Sequence, residues 1–186
     1  TVALISDSGS SSTDKITNVG TLNVTGTESG ALVEYSANGS SGWSTSAPSL
    51  TQSSNTVYVR QTDTAGNVSA ATAFTFTYDS QVSAPGVALS SDTGSSPTDK
   101  VTSVGTLTIT GTESGATVEY SANGSSGWST TAPSLSQGSN TVYVRQTDNA
   151  GNVSSATAFT FTYDTTAPNA PAITSVTDDV APLTGS

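Results

Sequence analysis

The sequence predicts an all-β fold of two-sheet sandwiches, about seven strands each, arranged in tandem and head to tail. Three observations carry that prediction. Residues 4–79 align without a gap on residues 89–164, and 63 of the 76 positions are identical. Within each copy, short runs alternate apolar and polar residues with the period of two that marks half-buried strands. Between the runs lie clusters of Gly, Asn, Asp, Ser and Thr, and no segment carries a 3.6-residue apolar stripe.

The repeat sets the domain organisation. One unit is expected over residues 1–80, a second over 81–165, and a linker with the truncated start of a third over 166–186. In the first unit the inward positions are Val2 and Leu4, Leu22 and Val24, Val33 and Tyr35, Val57 and Val59, then Phe74, Phe76 and Tyr78. Substitutions between the copies help to assign faces. Ile5 becomes Ser90, Leu32 becomes Thr117 and Asn23 becomes Thr108, so these positions should face water. Val24 becomes Ile109 and Ile16 becomes Val101, apolar exchanges suited to a core. Asn38-Gly39 is a hairpin signal, because both residues accept positive φ. Glu28-Ser29-Gly30, Ser53-Ser54-Asn55 and Asp63-Thr64-Ala65-Gly66-Asn67 are the other expected turns. Trp43 and Trp128 are expected to fill core volume where no disulfide is available. The joints at 79–85 and 164–171 contain Pro, which fixes φ and makes them extended and stiff. Such a set of strands and turns makes each unit an immunoglobulin-like β-sandwich.

Composition narrows the function classes. Ser and Thr supply 68 of the 186 residues, and acids outnumber bases 14 to 4, for a net charge of −10. That balance disfavours nucleic acid and anionic membrane surfaces, which need a cationic footprint, and attracts metal cations instead. Ten of the acids are Asp, the shorter carboxylate common in turns and oxygen-ligand cation sites. There is no Cys, His or Met. Disulfides and thiolate sites are therefore excluded, and no His is present to activate the many serines. Neither a membrane span nor a signal pattern is visible, and the chain is expected to be a piece of a longer polypeptide. No enzyme activity is expected.

The recurring acids are the candidate functional residues. Asp7 and Asp14 flank a Gly- and hydroxyl-rich loop that returns as Asp92 and Asp99. Such a loop either stays wet or holds a cation. In a sandwich of this type the loop after the first strand and the end of the last strand lie at one end. The loop between the last two strands lies at the other. Stacking therefore gathers Asp7, Asp14 and Asp79 of the first unit with Asp148 of the second. Four carboxylates with carbonyls and waters suit a hard cation that takes 6–8 oxygens. Asp92, Asp99 and Asp164 should form the matching half-site at the next joint, and Asp63 should stand at the opposite end. Asn67 and Asn152 either offer oxygens or simply accept a left-handed turn. The competing reading is that these Asp residues only cap turns and confer solubility. Against it, all eight Asp residues of the two units recur while thirteen other positions vary. The loop is neither an EF-hand nor a Gly-rich nonapeptide calcium repeat.

Three features together resemble a known family. They are the Asp-x-Gly-x4-Asp-x-[Ile/Val]-Thr loop, the Arg-Gln-Thr-Asp-x-Ala-Gly-Asn-Val-Ser segment and the Phe-Thr-Tyr-Asp-(x)n-Ala-Pro joint. They are similar to the tandem bacterial Ig-like repeats of giant type I-secreted RTX and biofilm-associated adhesins. The resemblance implies an extracellular stalk on the bacterial cell surface, with Ca²⁺ bound at and near the joints. It implies neighbouring repeats of the same chain as partners, a monomer, no membrane insertion, and a host or surface ligand gripped by other domains. Two other readings stand beside it. One is a carbohydrate-binding module using Trp43, Tyr35 or Tyr58; the other is an accessory linker of a secreted hydrolase.

Overall fold

A computed structural model describes residues 1–175. The expected third-unit start, 166–186, falls partly outside these residues. The first unit contains β1 (Val2–Leu4), β2 (Ile16–Thr17), β3 (Leu22–Val24), β4 (Leu32–Ser36), β5 (Ser53–Thr62) and β6 (Thr72–Tyr78). The second repeats the set as β7 (Gly86–Leu89), β8 (Val101–Thr102), β9 (Leu107–Thr110), β10 (Thr117–Ser121), β11 (Gly138–Thr147) and β12 (Thr157–Tyr163). In each unit a two-stranded antiparallel sheet, β1-β3 or β7-β9, faces a four-stranded sheet of order β2-β6-β5-β4 or β8-β12-β11-β10. The short β2 pairs parallel to β6 through Ile16–Thr77 and Thr17–Tyr78. The first part of the chain thus starts in one sheet and crosses to the other, and the acidic loop spans the crossing.

The period-two pattern holds where burial decides it. Val57, Val59 and Phe76 are buried, with Val2, Leu4, Leu22, Val24, Val33, Tyr35, Leu50, Phe74 and Tyr78 packed around them. Val142, Val144 and Phe161 make the equivalent core of the second unit. Each such side chain contributes about 1.5–3 kcal/mol by leaving water. Ile5 and Leu32 are exposed, as the exchanges between copies predict.

Four expectations are corrected. Each unit has six strands rather than about seven, because the stretch after Trp43 forms only an isolated bridge, Tyr35 to Ser44. Small polar residues and Pro48 leave that stretch little to pair with. Ser53-Ser54-Asn55 is the start of β5 rather than a turn. Ile16 and Val101 lie outside both cores; by alternation, Thr17 and Thr102 are the inward residues of these two-residue strands and are fully buried. Trp43 and Trp128 also lie outside the cores, each stacked under an arginine, Arg60 or Arg145, at 4.1 Å. Each arginine is also paired with a cross-strand glutamate: Arg60 Nε donates to Glu34 at 2.9 Å and Arg145 Nε to Glu119 at 3.0 Å. The stack pins the 37–43 turn onto the outer face of the sheet, where Gly39 lies directly against the Tyr58 ring.

Ser53 is held at φ +88°, a conformation that glycine occupies at the equivalent Gly138, φ +95°. Ser53→Gly is expected to stabilise the first unit by about 1 kcal/mol, the relieved strain exceeding the added unfolded-state entropy. Urea unfolding of the two forms checks this; an unchanged or lower midpoint contradicts it.

Candidate functional site at the joint between the units

The loop from Ser6 to Thr17 is shaped by its own polar side chains. Thr17, fully buried, donates from Oγ1 to the Ser6 carbonyl at 2.9 Å, tying the two ends of the loop together. Asp7 Oδ2 accepts the Lys15 amide at 3.0 Å, and Asp14 Oδ1 accepts the Ile16 amide at 2.9 Å. This closure holds Lys15 at φ +61°. Asp92 and Asp99 accept the Lys100 and Val101 amides in the same way. The other oxygens of the first pair, Asp7 Oδ1 and Asp92 Oδ1, are buried and find no hydrogen-bond donor among the described residues. A buried carboxylate oxygen of that kind calls for a water or a cation.

The tip of this loop sits against the β11–β12 loop of the second unit. Ser10 N–H donates to the Asn149 carbonyl at 3.2 Å, and Ser8 Oγ donates to the Ala150 carbonyl at 2.6 Å. Gly9 lies so close that a Cβ there would fall 2.0 Å from the Asn149 carbonyl oxygen. Asn152 is the hub of the joint. Its Nδ2 donates to the Asp79 carbonyl at 2.9 Å and to Asp148 Oδ2 at 2.7 Å, while its Oδ1 accepts from Asn18 Nδ2 at 3.2 Å. Gln146, fully buried, adds a second bracket: Nε2 donates to the Ser83 carbonyl of the linker at 2.8 Å, and Oε1 accepts the Glu113 amide at 2.9 Å.

These contacts bring three carboxylates together. Oxygens of Asp79, Glu113 and Asp148 all lie within 4.8 Å of one another, from three elements and both units. Asp148 is only 5% exposed, and the other two are more open to solvent. At such a separation each pair of charges repels by roughly 1 kcal/mol in water and by roughly 3–4 at an effective dielectric constant of 20. No basic residue offsets that repulsion. The sequence has four, and each covers an aromatic ring elsewhere: Lys15 on Phe74, Lys100 on Phe159, Arg60 on Trp43 and Arg145 on Trp128.

The sequence-derived candidates therefore divide. Asp79 and Asp148 meet across the joint, and Asn152 stands beside them, with its side-chain oxygen taken by Asn18. Asp7 and Asp14 belong to the docking loop and lie outside the three-carboxylate group. Asp92, Asp99 and Asp164 repeat that arrangement at the far end of the second unit, where Asp164 Oδ1 accepts the Thr166 amide at 2.8 Å. At the opposite end, Asp63 is held below the ordinary carboxylate range by hydrogen bonds from the Asn67 side chain, then from backbone amides including that of Asn67. Glu113 is the member of the group that the sequence reading misses; it lies in the turn between β9 and β10 and recurs as Glu28 in the turn between β3 and β4.

The bacterial Ig-like domain family model matches residues 1–80 and again residues 81–165. The chain belongs to that family. No curated protein matches it significantly. Domains of this family are commonly found in extracellular or surface proteins and are typically non-catalytic. No helix among the described residues is long and apolar enough to cross a membrane.

Proposed function

We propose that these bacterial Ig-like domains are a stretch of the stalk of a bacterial surface adhesin, and that Ca²⁺ at the joint stiffens it. The observation that carries this reading is the meeting of Asp79, Glu113 and Asp148, from two units, with no cation supplied by the chain. Three carboxylates suit a hard divalent cation, which fills its remaining positions with carbonyls and water. Bound there, the ion turns mutual repulsion into a clamp between units. Asp7, with its unpartnered Oδ1, is a candidate for further cation binding in the docking loop, as is Asp92 in the second unit. The role is mechanical spacing: the chain is secreted by a type I route, stays monomeric at ordinary concentrations and contacts its neighbouring repeats. A distal domain grips the target. The Pro-containing linker and the direct hydrogen bonds at the joint favour an extended rod over a flexible string.

Calorimetric titration tests the reading. The wild-type chain should bind Ca²⁺ at about 10⁻⁴–10⁻³ M, the range of extracellular modules. Glu113→Gln, whose side chain makes no hydrogen bond among the described residues, should weaken binding by about tenfold or more. Absence of binding in the wild type, or an unchanged affinity in the variant, contradicts the site.

A further inference from the structure

Each unit holds one Asn-Gly pair, Asn38-Gly39 and Asn123-Gly124. In an open chain this dipeptide readily loses its side-chain amide, because glycine has no Cβ to keep its nitrogen from the asparagine Cγ. Hydroxide removes the proton of the glycine amide, and the nitrogen bonds to Cγ. The Cγ–Nδ2 bond then breaks, and ammonia leaves with a proton taken from water. A second water opens the cyclic imide to aspartate or to isoaspartate.

In the folded unit both reacting groups are already engaged. The Gly39 amide donates to Ser36 Oγ at 3.1 Å. Ser36 ends β4 and is 1% exposed, and its own proton goes to the Ser41 carbonyl at 2.6 Å. That leaves the hydroxyl's lone pairs for the amides of Asn38 and Gly39. The Asn38 side chain is committed elsewhere: Oδ1 accepts the Ser40 and Ser41 amides, each at 2.9 Å, and Nδ2 donates to Ser41 Oγ at 3.1 Å. Packing closes the remaining freedom, since a Cβ on Gly39 would lie 2.6 Å from the Tyr58 ring. The second unit repeats the lock with Ser121, 1% exposed, which accepts the Gly124 amide at 3.1 Å, while Gly124 lies against the Tyr143 ring.

We propose that Asn38 and Asn123 are covalent modification sites gated by folding. The buried hydroxyls of Ser36 and Ser121 take the amide proton that hydroxide must remove, so ammonia is lost only from a unit that has opened. The two products differ in consequence. Aspartate keeps an oxygen that can accept the Ser40 and Ser41 amides. Isoaspartate lengthens the backbone by one carbon, so the turn can no longer close on Ser36 and Tyr58 together. An opened unit is thereby marked irreversibly. None of this depends on calcium at the joint.

Peptide mapping by mass spectrometry tests this on the whole chain, held at mildly alkaline pH with and without urea above the unfolding midpoint. Both asparagines should convert in urea. In the native chain each should convert at least about tenfold more slowly, because a bonded turn must first open. Ser36→Ala leaves the Gly39 amide without its acceptor and should speed conversion of Asn38 in native buffer by about tenfold. Asn123 in the same molecule should keep its rate. Slow hydrogen exchange at the Val57 and Val59 amides shows that the variant's first unit is folded; where it is not, the wild-type comparison decides alone. A native wild-type rate within tenfold of that in urea overturns the proposal. So does a folded Ser36→Ala chain in which Asn38 converts no faster than before, or in which both asparagines speed up equally.

Discussion

Replacing Gly9 with asparagine is expected to uncouple the two units while leaving both folded. Any Cβ at position 9 falls 2.0 Å from the Asn149 carbonyl oxygen and 2.7 Å from the Ala150 carbonyl carbon, inside van der Waals contact with backbone. Backbone cannot swing aside as the tip of a long side chain can, so the loop must withdraw. With it go the Ser10–Asn149 and Ser8–Ala150 hydrogen bonds. Overpacking of this kind costs about 1–3 kcal/mol, comparable to what a few hydrogen bonds contribute at about 1 kcal/mol each. Small-angle scattering should then show a broader range of inter-unit angles, and calcium affinity should fall as Asp79 parts from Asp148. Gly94→Asn is the internal control. Gly94 has the same kind of positive φ, +105° against +92° for Gly9, but no neighbour, so it bears the backbone cost alone. Equal effects from the two substitutions would mean that the close approach at Gly9 contributes nothing to the joint.

Removing calcium from a solution that holds it at about 100 times its dissociation constant is expected to lower the melting temperature by about 10 °C or more. A ligand that binds only the folded state adds about 2.7 kcal/mol when present at 100 times its dissociation constant. For domains of this size each kcal/mol moves the midpoint by about 4–8 °C. The three carboxylates then repel without compensation, so the joint should loosen before the sandwiches melt. Scans in calcium and in EDTA that superimpose would contradict this. Under the proposed function, the charge at the joint works against compaction where calcium is scarce, and calcium binding adds folding free energy where it is abundant.

The cores could be read from the sequence because burial follows strand alternation. Val57, Val59 and Phe76 stand on one face at a spacing of two, and their neighbours across the sandwich do the same. The tryptophans could not, since their size suggested core while their place depends on Arg60 and Arg145 arriving from another strand. The recurrence of Asp7 and Asp14 has a local cause in addition to any cation: each accepts a backbone amide that shapes the loop. Glu113 escaped notice because Glu-Ser-Gly looks like mere turn punctuation. Its carboxylate reaches the joint because Gln146, whose place in the Arg-Gln-Thr-Asp segment gives no hint of a docking role, binds the Glu113 amide and the linker carbonyl together. Turn chemistry is local and legible, whereas a site shared by two units is created by how they dock.

The most direct measurement is a crystal structure of the chain grown in millimolar CaCl₂, with anomalous data collected to identify the ion. The account predicts a calcium peak bounded by Asp79, Glu113 and Asp148, completed by carbonyl or water oxygens. Ordered water alone between those three carboxylates, with the joint otherwise closed, would contradict it.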